Sequence, residues 1–184
     1  MMVRAAVWLL VLSSSATVAA GTWPIDHARS QARFSVRTLW FTHERGAFDG
    51  VRGELREVDA RHDIVDAWID ADSLNMDDED ALREARGPGF FDVANFPHIH
   101  FVSAPFPASA LRDGGALAGV LELHGQRREA QFELLPSRCP ARPLACPVQV
   151  NGTVSRGAFG MHGRRALLSD HVSLEMNIML DEPG

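Results

Sequence analysis

The feature that most restricts this chain is a period-two alternation of apolar and polar residues along most of its length. Ser30, Ala32, Phe34 and Val36 alternate with Arg29, Gln31, Arg33, Ser35 and Arg37. The pattern returns with Val51, Gly53 and Leu55, with Val65, Ala67, Ile69 and Ala71, and with Ile99, Phe101 and Ser103. It continues through Leu117, Gly119, Leu121 and Leu123, then Ala130, Phe132 and Leu134. Val148, Val150, Gly152 and Val154 follow, and Val172, Leu174, Met176 and Ile178 close the series. Successive side chains of a strand point to opposite faces, so each segment has one face to bury and one for water. Such alternation belongs to antiparallel strands rather than to a parallel sheet covered on both faces. Asp49-Gly50, Asp113-Gly114-Gly115, His124-Gly125 and a Pro-rich cysteine loop supply turns between them. One stretch reads as a helix, residues 77–86, acidic at its start, basic at its end and stopped by Gly87-Pro88-Gly89.

Eight antiparallel strands must protect their edges. Closure into a barrel removes the edges and leaves an interior for side chains or one small ligand. The expectation is therefore an all-β, eight-stranded antiparallel barrel, lipocalin-like, with one short helix between strands three and four. A two-sheet sandwich is the alternative. The inner face mixes large residues with small ones, including Ala32, Gly53, Ala67, Gly119 and Gly152. The small ones either leave room for a molecule or accommodate the bending and coiling of strands.

Arg4, the apolar run 5–12 and the small residues ending in Val18-Ala19-Ala20 have the layout of a secretory signal peptide. The apolar run is too short for a bilayer core, which needs about 20 residues, so stable membrane insertion is not expected. Residues 1–20 are read as a cleaved signal and 21–184 as the domain, exported to the periplasm or secreted. Cys139 and Cys146 are the chain's only cysteines, and in an exported protein they read as a structural disulfide. The formal charge is −6, and all 18 basic residues are arginine. No basic stripe offers a grip on nucleic acid.

Several strings resemble the YceI family of exported bacterial proteins. They are Trp23-Pro24-Ile25-Asp26 with Ser30 and Phe34-Ser35-Val36, then Gly46-Ala47-Phe48 between the first strands. Phe90-Phe91-Asp92-Val93 leading to Phe96-Pro97 and Phe101-Val102-Ser103 is the most specific piece. The segment 119–125 and Arg156-Gly157-Ala158-Phe159-Gly160-Met161 complete the set. The resemblance implies a lipocalin-like barrel that binds a polyisoprenoid or similar long apolar chain in the periplasm, often as a homodimer. Two places depart from the family pattern. Residues 81–85 replace an Arg-Asp-x-His-Leu run, and Arg29 and Arg37 stand where histidines would fall.

A tunnel for such a ligand needs apolar walls. The candidates are Phe34, Val36, Phe48, Ile69, Phe90, Phe91, Phe96, Phe101, Leu121, Phe132, Val154, Phe159, Leu174 and Met176. Ordinary core packing is the alternative for each. Arg156 shares the inward parity of Val154, so it needs either a carboxylate such as Asp170 or Asp92 or an anionic ligand head. His98 and His100 share an outward face and read as a solvated pair, and no metal ligand set is assigned. No nucleophile motif or cofactor loop is present, so no cofactor and no catalysis are expected. The function read from this is a carrier that sequesters a quinone, a fatty-acid derivative or a polyisoprenoid without chemistry. A hydrolase or metal-dependent enzyme at the barrel mouth, and a ligand-free structural or stress protein, are the alternatives.

Overall fold

The computed structural model describes residues 21–39 and 42–182. The signal-peptide expectation for residues 1–20 lies outside the described residues. Twelve strands follow in chain order: β1 (Thr22–Pro24), β2 (Gln31–Thr38), β3 (His43–Phe48), β4 (Val51–Asp59), β5 (His62–Asp70), β6 (Leu74–Asn75), β7 (His98–Ser103), β8 (Phe106–Pro107), β9 (Gly115–Leu123), β10 (Gln126–Leu134), β11 (Val148–Ser155) and β12 (Leu168–Ile178). Helix α1 spans Glu79–Ala85 and the one-turn α2 spans Ala110–Asp113. All strand pairs are antiparallel, in the order β1-β4-β5-β7-β9-β10-β11-β12-β2-β3-β6, with β8 on β5.

The sheet curls into a barrel-like wall because its edges are tied back. Ile25, just beyond β1, bridges Leu180, just beyond β12, and Asp26 N–H donates to Met179 O at 2.9 Å. On the other edge, β6 continues from β5 through a 3₁₀ turn and pairs with β3. The inward residues of the alternating segments form the core: Ala32, Phe34 and Val36 on β2, Leu117, Leu121 and Leu123 on β9, and Val150 and Val154 on β11 are all buried.

Each of the eight expected segments is a strand, and the all-β barrel-like class holds. The strand number is larger, because β3 and three short strands add to it. The pattern conceals β3: its inward set is Glu44, Gly46 and Phe48, a charge and a glycine before a single apolar residue. The helix falls where expected, between β5 and β7, but two residues shorter at its start. Asp78 is its N-cap, accepting from Asp80 N–H at 2.9 Å and Ala81 N–H at 2.8 Å.

The barrel has two unlike ends. At the upper end lie α1, the β9–β10 hairpin and the 156–167 connection. They are joined by Gly163 N–H to Gly89 O at 2.7 Å and by His124 Nδ1 against Phe159 O at 3.1 Å. At the lower end lie the β4–β5 turn, α2 and the 135–147 loop, joined by Ala108 N–H to Arg61 O and Ser137 N–H to Arg112 O. The Cys139–Cys146 disulfide expected in that loop is formed.

Candidate functional site

Period-two patterning sends one face of every long strand into the barrel, and there the side chains stop short of filling it. A cavity of about 210 Å³ remains, its walls almost wholly apolar. Among the expected wall residues, Phe34, Val36, Phe48, Ile69, Phe90, Phe91, Phe101, Leu121, Phe132, Val154, Leu174 and Met176 line it, and so does Arg156. Phe96 and Phe159 do not line it. Phe96 leaves the strand system before β7 and packs on the His124 ring at 4.8 Å, under Gly125. Phe159 is buried in a 3₁₀ turn of the upper connection, where its carbonyl faces His124. Both belong to the packing of the upper end, because each lies in a connecting segment outside the strands, where parity no longer predicts direction.

The small inward residues divide. Ala32 and Ala67 line the cavity. The glycines do not open space, because neighbouring rings or, at Gly53, the β5 backbone occupy it. A Cβ on Gly119 would lie 2.3 Å from Val102 O and 2.6 Å from the Phe101 ring, and one on Gly152 would lie 2.2 Å from the Phe132 ring. Those glycines let strands and aromatic rings approach, and Phe101 and Phe132 meet edge to face at 5.0 Å.

The upper end carries the aromatic and charged parts of the site. Phe91 inserts between Phe34 (5.6 Å) and Phe48 (5.2 Å), so the segment after α1 is plugged into the barrel. Phe90 sits under the Arg156 guanidinium at 5.9 Å and fills the space beside Gly163. Arg156 is 4% exposed. Its Nε donates to Ser169 O (2.9 Å), its Nη1 to Gly163 O (2.6 Å) and Met161 O (3.3 Å), and its Nη2 to Leu168 O (3.2 Å). The expected carboxylate partners do not pair with it. Asp170 instead accepts from Ser155 Oγ and Gly157 N–H, and Asp92 from Asn95 Nδ2. Both carboxylates are consumed by turns of their own, and backbone carbonyls take their place. Burial lowers the guanidinium's affinity for its proton, and the nearby Asp170 partly offsets this.

Sequence reasoning missed Glu84 and Arg164, which also touch the cavity. Arg164 Nε donates to Glu84 Oε1 at 2.7 Å, closing α1 against the upper connection. Both lie where no strand period exists to aim them. Glu84 stands inside the 81–85 run that departs from the family pattern. The histidines are elsewhere. His100 stacks on Trp68 at 3.6 Å and meets Asp66 Oδ1 at 2.8 Å on the outer face, so it is engaged rather than freely solvated, while His98 is exposed. No group of three or more metal-ligating side chains occurs among the described residues.

The family model of the YceI-like domain matches residues 23–180. The chain belongs to the YceI-like family. No curated protein matches it. Solved structures with the same fold include a polyisoprenoid binding domain from Saccharophagus degradans implicated in plant cell wall breakdown, with TM-score 0.64 and 14% identity, covering 88% of this chain and 98% of that one. BcnA from Burkholderia cenocepacia has TM-score 0.68 and 18% identity, covering 85% and 99%. The YceI protein of Campylobacter jejuni has TM-score 0.52 and 14% identity, covering 74% and 84%. In this YceI-like domain the match begins within β1 and ends at Leu180, so it takes in both partners of the bridge that ties the barrel. Among the described residues no helix is long and apolar enough to cross a membrane.

Proposed function

We propose that this YceI-like protein is an exported carrier that holds the chain of a polyisoprenoid, or of a similar long lipid, inside its barrel without chemical change. The observation that carries the reading is the cavity itself, apolar along its walls, with its aromatic plug and its Arg156 and Glu84–Arg164 charges at one end. A solved neighbour described as a polyisoprenoid binding domain supports the ligand class. A carrier rather than a hydrolase is favoured because no histidine, serine or cysteine lines the cavity among the described residues, and His100 is committed to Trp68 and Asp66 on the outer face.

The cavity is smaller than the roughly 300–1,000 Å³ usual for ligand pockets. Loading a long chain therefore requires the Phe90–Phe91 segment to withdraw and the upper end to open. The head group would remain at that end, near the remaining donor capacity of Arg156.

Mass spectrometry of an organic extract of the protein from its native host should find a long-chain lipid at near-stoichiometric amount. Ala67→Phe places a ring in the cavity between Gly53 and Phe101 in register. It should abolish lipid co-purification while circular dichroism stays that of the parent. A folded variant carrying the same lipid load would overturn the proposed interior site.

A further inference from the structure

At the lower end of the barrel, Glu57 of β4 and Asp63 of β5 stand directly opposite one another in the antiparallel register. Both follow the inward parity of Leu55 and Val65. Like charges directly opposite on one sheet face repel. Asp63 is only 5% exposed, and its carboxyl is not stabilised by a hydrogen bond among the described residues. The nearby bases are engaged: His62 meets Asp59 at 3.0 Å, and Arg56 pairs with Glu54 at 2.8 Å. Among the described residues no arginine, Arg61 of the adjoining turn included, forms an ion pair with either carboxylate, and only His62, already held by Asp59, offsets the charge of Asp63.

Gly21, just before β1, flanks Glu57 on the side of β4 away from Asp63. Its nitrogen donates to Glu57 Oε2 at 3.2 Å, and its carbonyl accepts from Glu57 N–H at 2.9 Å. The Trp23 ring lies over it, so that a Cβ on residue 21 would fall 2.4 Å from the ring. The site thus fixes the position of this nitrogen. Gly21 also follows Ala20, the end of the cleavage-like run. In an uncut chain the nitrogen is an amide. In a cut chain it is an α-amine, positive at neutral pH because its ordinary pKa is about 7.7–8.0.

We propose that the α-ammonium of Gly21, created by removal of the leader, is the cation that pairs with Glu57 and so offsets the repulsion between Glu57 and Asp63, and that processing itself thereby completes the lower end of the barrel. The inference rests on the export reading proposed above. It gives the uncut chain a less stable barrel than the mature one.

The absence of lysine makes the test selective, because the α-amine is then the only primary amine in the mature chain. The chain beginning at Gly21 is acetylated with an amine-reactive ester, in the wild type and in Glu57→Gln, and thermal unfolding is followed at pH 7. Acetylation should lower the wild-type Tm by about 2–4 °C, the shift expected for an interaction of this class in a domain of this size. It should leave Glu57→Gln unchanged. An unaltered wild type, or equal shifts in both proteins, would overturn the site. The intact mass of the exported protein tests the export reading separately: a chain starting at a residue other than Gly21 would overturn the link to processing even if acetylation lowers Tm.

Discussion

Arg156 at the upper end of the barrel and Asp63 at the lower end are both more than nine-tenths buried, at 4% and 5% exposed. Their surroundings differ in kind. The guanidinium is ringed by the carbonyls of Met161 and Gly163, from the connection between β11 and β12, and of Leu168 and Ser169, at the start of β12. The carboxyl faces a second carboxyl across the sheet. A planar group with five donors can gather a loop around itself, whereas a carboxylate needs donors, and β-strands spend theirs on one another. One buried charge therefore organises its end of the barrel, and the other leaves its end open to adjustment by protons or by a neighbouring cation.

The sharpest way to break this comparison is at Arg156. Arg156→Met keeps the bulk but leaves four carbonyls without their charged donor, and a buried hydrogen-bonding group left unpaired is costly. Urea unfolding should show a loss of about 3–4 kcal/mol. Arg156→Lys should recover only part of it, because an ammonium cannot reach carbonyls distributed around a planar fork. A loss below about 1 kcal/mol for Arg156→Met would mean that solvent serves these carbonyls as well as the guanidinium does.

At the lower end the expected change is smaller and opposite in sign. Burial first, and then Glu57 and Asp59, push the Asp63 carboxyl up to about 6 from an ordinary value of 3.8. Below pH 4 both the folded and the unfolded chain hold the proton, and the group has no effect on stability. Between about pH 4 and pH 6 the unfolded chain releases it first, so stability falls as pH rises, and the loss persists above that range. Asp63→Asn should therefore raise stability by about 1–2 kcal/mol at pH 7 and leave it unchanged near pH 3.5. The gain should be greatest when the α-amine of Gly21 is acetylated. A variant equally stabilised at both pH values would show that packing, not ionisation, is responsible.

The contrast between the ends also bears on what can be read from residues in order. The eight long alternating segments are legible because the strand period of two links each residue to a face, and it places Phe34, Leu121, Phe132 and Leu174 on the cavity wall without any knowledge of neighbours. Strand β3 is hidden because Glu44 and Gly46 interrupt its inward face. The glycines mislead for a related reason: an inward Gly119 looks like free space in sequence, but the ring that fills that space comes from Phe101 on another strand. At the upper end, Phe96, Phe159, Glu84 and Arg164 lie in turns and on one short helix, where direction is set by partners far away in sequence. The Arg164–Glu84 contact spans 80 positions. Even for Arg156, parity gives the inward direction but not the carbonyls that meet it.

The smallest expected effect on stability belongs to that same contact, and it tests whether the upper end is the one that opens. Arg164 and Glu84 hold α1 against the upper connection with side chains that are 55% and 36% exposed. An ion pair so placed contributes about 0–1 kcal/mol and is weakened by salt. Glu84→Gln should therefore move the unfolding midpoint very little. If the Phe90–Phe91 segment must withdraw for a lipid to pass, the same change lowers the barrier to opening, and 1 kcal/mol corresponds to about fivefold in rate. Stopped-flow uptake of a fluorescent long-chain lipid should accordingly be up to about fivefold faster in Glu84→Gln. Raising the ionic strength should accelerate the wild type with a neutral probe and leave the variant nearly unchanged, since the pair that salt screens is already gone. Equal rates at low salt would place the entrance elsewhere, and the lower end, with its loosely compensated carboxylates, would become the part of the wall to examine.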